Sequence, residues 1–139
     1  MKTVLIAEDN PVNRELLREL LEIRGYAVIE TSNGQEALEQ LQKVQPDILL
    51  LDLNMPVLDG FGTIERIRKD PGFSALPILA VTAYAMRGDR EKILSAGFDG
   101  YLSKPIDPIF LQQELQRLLM KETHKQVPGA KVDAAGQGS

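Results

Sequence analysis

Five short apolar runs, each followed by a stretch of helical periodicity, constrain this chain more than any other feature. Val4-Leu5-Ile6-Ala7 and Ile48-Leu49-Leu50-Leu51 are continuous blocks without polar alternation, the pattern of strands buried on both faces of a parallel sheet. Strands are predicted over 3–7, 26–30, 47–51, 77–81 and 99–102, and helices over 11–24, 34–44, 59–69, 86–96 and 106–120. Start and stop signals agree. Asn10 is placed to cap the first helix, with Pro11 in its first turn. Leu16, Leu17, Leu20 and Leu21 then recur at helical spacing, and Gly25 ends the element. Asn33-Gly34 opens the second helix, Pro46 parts it from the third strand, Asp70-Pro71-Gly72 ends the third and Gly97 the fourth. Five β-α units in strict alternation specify an α/β fold, a parallel sheet with helices on both faces.

Three acidic residues stand at the ends of two of these runs. Glu8 and Asp9 follow the first, and Asp52 follows the third. If those strands are neighbours, three carboxylates meet at the carboxyl edge of the sheet, where ligands of open α/β sheets bind. Like charges so close repel unless a cation sits among them. A hard, oxygen-seeking divalent ion such as Mg2+ fits that need best.

Composition narrows the setting. The 139 residues make one domain and little more. No run approaches the roughly 20 apolar residues of a membrane span, and no signal peptide precedes the first strand. Cysteine is absent, which excludes disulfide and thiolate chemistry and makes a reducing cytoplasm the expected location. The single histidine, His124, cannot build a histidine metal site, and the net charge of −4 argues against a nucleic-acid surface. Residues 121–139 lack apolar periodicity and contain Val127-Pro128-Gly129 and Gly136-Gln137-Gly138-Ser139. We therefore expect a domain over 1–121 and a disordered tail over 122–139, in part a cloning remnant and too short for an effector domain.

Glu8-Asp9, Asp52, Thr82 and Lys104-Pro105, each at the end of an apolar strand, resemble the receiver domain of two-component response regulators, over about residues 2–121. The resemblance implies a flavodoxin-like sheet in the order 2-1-3-4-5 with five helices. It implies that Asp52 accepts a phosphoryl group from a phosphohistidine on a histidine kinase or histidine phosphotransferase. By the same resemblance the domain would catalyse its own phosphorylation and dephosphorylation and would otherwise be a signalling module rather than an enzyme. Glu8, Asp9, Asp52 and the backbone carbonyl of Asn54 would hold Mg2+, with Mn2+ able to substitute. Lys104 and the Thr82 hydroxyl would meet phosphoryl oxygens, small Ala83 would leave room for entry, and a cis Lys104-Pro105 bond would turn the lysine inward. Tyr101 would move inward with Thr82 and repack the surface of helix four, strand five and helix five for a downstream protein. The run Asp9-Asn10-Pro11-Val12-Asn13-Arg14 resembles receivers of hybrid histidine kinases and of stand-alone polarity regulators. Met1 directly before the first strand favours a stand-alone regulator over an excised phosphorelay receiver.

Each residue alone has a plainer reading. Asp9 is as readily a helix cap, Thr82 a strand end and Lys104 a surface lysine, Asp52 fits a solvated turn, and Tyr101 packs as an ordinary aromatic. The ordered set at four strand ends outweighs those readings jointly. An aspartate-nucleophile phosphatase of the haloacid-dehalogenase type is the rival, but it needs a second acid two residues after the nucleophile. That position is Asn54, which cannot donate and recover a proton.

Overall fold

The computed structural model describes residues 1–83 and 87–126. Strands β1 (Thr3–Ala7), β2 (Ala27–Thr31), β3 (Ile48–Asp52), β4 (Ile78–Thr82) and β5 (Gly100–Ser103) alternate with helices α1 (Pro11–Ile23), α2 (Gly34–Leu41), α3 (Gly60–Arg68), α4 (Arg87–Ser95) and α5 (Pro108–Gln126). The strands form one parallel sheet in the order β2-β1-β3-β4-β5. Fold class and strand order are those expected.

Alternate residues of each strand point to opposite faces. Leu5, Leu49, Leu51, Ile78 and Ala80 pack on one side with Ala37, Leu41, Ile64, Ile67 and Ile93 of α2, α3 and α4. Val4, Ile6, Ile48, Leu50, Leu79 and Val81 pack on the other with Leu17 and Leu21 of α1 and Leu111 and Leu115 of α5. With both faces covered, the central positions of β1, β3 and β4 are buried and apolar, which is why those strands read as unbroken apolar runs.

Local chemistry fixes the helix starts. The Asn10 carboxamide accepts from the Val12 and Asn13 N–H groups at 2.9 and 3.0 Å, so the cap of α1 is Asn10 and not Asp9. Asn33 accepts from Glu36 N, and the Glu36 carboxylate in turn takes the Ser32 N–H. Asp59 lies outside α3 as its cap, accepting from Gly62 N at 2.8 Å, so α3 begins one residue later than its periodicity suggests. Gly25 and Gly97 take φ of +89° and +110° just past α1 and α4, a region closed to most side chains.

Strands β2 to β5 each end one residue later than expected, because Thr31, Asp52, Thr82 and Ser103 stay in the ladder although their side chains are polar. Helix α2 closes early in a tight turn, Lys43 N bonding Gln40 O. Helix α5 begins at Pro108, where the Asp107 side chain accepts from Ile109 N, and runs to Gln126 rather than ending at 120. The tail expected from 122 thus starts within α5, and its residues 127–139 lie outside the described residues, as do 84–86 before α4.

The chain leaving β3 is pressed against α3. A Cβ on Gly60 would lie 2.7 Å from the Asp52 carbonyl oxygen and 2.7 Å from Leu53 Cα, and neither backbone atom can move without shifting Asp52. Gly60→Ala is expected to cost about 1–3 kcal/mol despite alanine's better helix propensity. A urea titration showing no loss would mean that this loop yields freely.

Candidate metal centre at the carboxyl edge

Sheet register assembles the site. Ala7 pairs with Leu51, so the next residues, Glu8 and Asp52, end neighbouring strands at one level. Thr82 pairs with Ser103, which puts Lys104 one step beyond Thr82. Carboxylate oxygens of Glu8, Asp9 and Asp52 lie within 4.8 Å of one another. Glu8 and Asp52 are buried, at 1% and 2% exposure, while Asp9 faces solvent.

Lys104 holds the two buried charges apart. Its Nζ lies 3.0 Å from Asp52 Oδ2 and 3.0 Å from Glu8 Oε1. The first contact is an aligned hydrogen bond. The second is an ion pair without that alignment, leaving Glu8 Oε1 among the described residues as a buried acceptor with no hydrogen bond. The other oxygens are held from the backbone: Asn10 N donates to Glu8 Oε2 at 3.1 Å, and Asn54 N to Asp52 Oδ1 at 3.0 Å. Burial pushes the Glu8 carboxyl up from its ordinary value; Lys104 and the Asn10 N–H pull it back, and the Asp52 charge adds to the rise. Burial alone would lower the Lys104 ammonium, but its hydrogen bond to Asp52 and the charges of Asp52 and Glu8 outweigh this and hold it up.

The remaining expected residues fall nearby. Thr82 is buried at the end of β4, its carbonyl accepting from Lys104 N at 2.8 Å. It shares a cleft of about 270 Å³ with Asn54, Phe61, Asp89 and Lys92. The Lys104–Pro105 bond is cis. Tyr101 is half-buried, two positions before Ser103 on β5, packed at the rim of the core cluster under α3 and α4. It also lines a groove of about 490 Å³ with Arg90, Leu94, Phe110, Glu114 and Arg117.

Sequence reasoning gave Arg14 no task, yet its Nη1 donates to the Glu8 carbonyl at 2.9 Å and its Nε lies 3.5 Å from the Glu30 carboxylate. The bond pins the point where β1 turns into α1. Only its place one turn into α1 hinted at it. Phe61, stacked edge-on to Phe98 with Lys92 over its face, was equally silent in sequence.

The donor set is all oxygen, two of three carboxylates are buried, and one buried oxygen lacks a hydrogen bond. That is the chemistry of a hard divalent cation, and the residues fit Mg2+. The family profile described as "Response regulator receiver domain" matches residues 4–116. The chain belongs to the response regulator receiver family. The polar-differentiation response regulator DivK of Brucella anthropi is 41% identical over 112 residues, covering 80% of this chain and 91% of that relative. A putative response regulator from Chloroflexus aurantiacus superposes with a TM-score of 0.82 at 34% identity, covering 86% of this chain and 98% of the other. The receiver domain of the sensor histidine kinase PA1611 from Pseudomonas aeruginosa, solved with a magnesium ion coordinated in its active-site cleft, gives 0.80 at 38% identity, with 86% and 98% coverage. This receiver is a signalling module outside the catalytic enzyme families, and among its described residues no helix is long and apolar enough to cross a membrane.

Two measurements check the electrostatics. Mg2+ at ten to a hundred times its dissociation constant should stabilise the fold by about 1–3 kcal/mol, and Asp9→Asn should remove most of that gain. An equal gain in both proteins would put the ion elsewhere. The second concerns pH. The folded chain holds the Glu8 proton more tightly than the unfolded chain. The stability tied to that proton is therefore present below the ordinary value of 4.5 and lost as pH rises through the raised one. In EDTA, the stability advantage of Glu8→Gln over wild type should widen as pH climbs above 4.5. A gap that stays flat would show that burial does not penalise this charge.

Proposed function

We propose that Asp52 is the phosphoacceptor of this receiver, taking a phosphoryl group from a phosphohistidine on a histidine kinase or histidine phosphotransferase. One observation carries the reading: the 2% exposed Asp52 carboxylate is fixed between the Lys104 ammonium and the Asn54 N–H, beside Glu8 and Asp9. In the transfer an Asp52 oxygen bonds to phosphorus as the P–N bond breaks, and the electron pair leaves with the imidazole nitrogen. A carboxylate is a weak nucleophile toward phosphorus, so orientation and charge neutralisation must supply the rate.

The chain's own groups serve that end. Asn54 N and Lys104 Nζ hold one Asp52 oxygen each, fixing the carboxylate plane before the donor arrives. The ammonium opposes the negative charge that gathers on the transferring group. Thr82, at the end of the next strand, offers a hydroxyl for a further phosphoryl oxygen. Glu8, Asp9, Asp52 and the Asn54 carbonyl would hold Mg2+, with Mn2+ as substitute, supplying a Lewis acid for the phosphoryl oxygens. Water attack on the acyl phosphate then resets the domain.

The same reading gives an output. Tyr101 moves inward as Thr82 engages the phosphoryl group, and the groove between α4, β5 and α5 changes shape for a downstream protein. We place the exchange in the cytoplasm, where ATP charges the histidine donors, with no nucleic acid or membrane insertion involved.

Acetyl phosphate with Mg2+ should label the chain once, and Asp52→Asn should abolish the label. Retained labelling in that variant would end the proposal. Beryllofluoride, standing in for the phosphoryl group, should shift amide resonances along β5 as well as around Asp52. Thr82→Ala should keep the label but weaken the remote shifts. Shifts confined to the pocket in wild type would leave a phosphoryl carrier without an output.

A further inference from the structure

Val57 is the one non-glycine residue with positive φ among the described residues, at +69°. It occupies the centre of a γ-turn closed by Leu58 N donating to Pro56 O at 2.7 Å, the strained, positive-φ form of that turn. A β-branched side chain is poorly suited to this region. Its side chain also gains nothing by burial, since Val57 is 81% exposed. The residue is thus unfavourable for the folded chain twice over, in its backbone and in its exposed apolar surface. Such a combination five residues after Asp52 calls for a functional account.

Val57 is not alone at this edge. Val12, in the first turn of α1 after Glu8-Asp9, is 73% exposed, and Ile109, in the first turn of α5 after Lys104, is 67% exposed. Each segment that carries a charged site residue therefore carries an exposed aliphatic residue three to five positions on. Asp52 is only 2% exposed. A protein whose histidine reaches that carboxylate has to seat itself on these three segments, because parallel topology places all of them on the edge where Asp52 lies.

We propose that Val57 is a donor-contact residue, presented outward by its strained turn to an apolar surface around the phosphohistidine of the partner protein. The inference rests on Asp52 being the phosphoacceptor and adds the residue that discriminates protein donors from small ones. Burying a valine side chain against a partner favours the complex by enough to change a second-order rate about tenfold or more. Acetyl phosphate is too small to span from Asp52 to this turn and gains nothing from it.

The test uses the full chain with Val57→Asn, which tolerates positive φ but removes the apolar surface, and Val57→Leu, which keeps it. The donors are acetyl phosphate and whichever phosphorylated histidine kinase from the chain's own organism labels the wild type fastest. We expect Val57→Asn to slow transfer from the kinase about tenfold, to leave acetyl phosphate labelling within about twofold, and to melt no lower than wild type. Val57→Leu should retain most kinase transfer. Wild-type kinase transfer in Val57→Asn would overturn the proposal. So would equal losses with both donors, which would make Val57 a support for the Asp52 loop rather than a contact. A wild-type dimer that Val57→Asn dissociates, with transfer unchanged, would assign the turn to self-association instead. Absence of label on wild-type Asp52 from either donor is a separate result and removes the phosphoacceptor reading itself.

Discussion

Two buried carboxylates at one sheet edge set the terms for the rest of this protein. Glu8 and Asp52 share a single ammonium, and Asp9 adds a third negative charge at the mouth. At a few Å and an effective dielectric constant of about 20, each uncompensated pair costs on the order of 4 kcal/mol. Lys104 offsets one charge of three, and a divalent cation balances the remainder. The site is therefore unfinished in the protein alone. On the proposed function, a phosphoryl group on Asp52 would disturb the balance again by adding negative charge beside Lys104. The same imbalance that suits the pocket to a divalent cation would make it responsive to phosphorylation.

Parallel topology is what brings these charges together without burying the chain's own loops. In a parallel sheet every strand ends at the same edge, so residues remote in sequence meet there through register: Glu8 with Asp52, Thr82 with the residue before Lys104. The apolar faces above and below exclude water from the carboxylates and raise the cost of their charge. Gly60, wedged under the Asp52 carbonyl, and Arg14, bonded to the Glu8 carbonyl, hold the backbone at the two points where the acidic residues leave the sheet. The acidic residues of this edge are thus positioned by main-chain contacts as much as by side chains.

How much of this was legible depends on what each feature requires. The α/β class and the acidic cluster were readable because they follow from period, run length and the chemistry of the run ends, whereas the strand order came only with the family resemblance. Strand limits slipped by a residue, since Asp52 and Thr82 look like the end of a strand by polarity yet still pair in the ladder. Asn10 was legible as the cap of α1 and takes that role, which leaves the Asp9 carboxylate to the acidic cluster. The roles of Arg68 and Val57 were not readable at all, and that of Arg14 was hinted at only by its place one turn into α1. An arginine that bonds carbonyls is indistinguishable in sequence from a solvated one, and nothing in a valine's identity announces a positive φ.

Arg68 shows why the two edges of the sheet behave differently. Its guanidinium donates to the carbonyls of Gly97, Phe73 and Leu76 and pairs with the Asp99 carboxylate at 3.0 Å. Asp99 Oδ2 also accepts the Ile78 N–H at 2.8 Å, and Arg117 donates to the Asp99 carbonyl at 3.0 Å. The end of α3, the start of β4, the turn out of α4 and the start of β5 are thereby tied together at the amino edge. Polar groups there are satisfied within the chain, and charge-assisted bonds of this kind resist displacement. At the carboxyl edge the same strands end in Thr82 and Lys104 beside an unbalanced acidic pocket. A ligand bound there acts on β4 and β5 from their free ends while their other ends stay fixed. On the proposed function, a small change at Asp52 would thus be directed sideways, toward α4 and Tyr101, rather than lost in a general loosening of the fold.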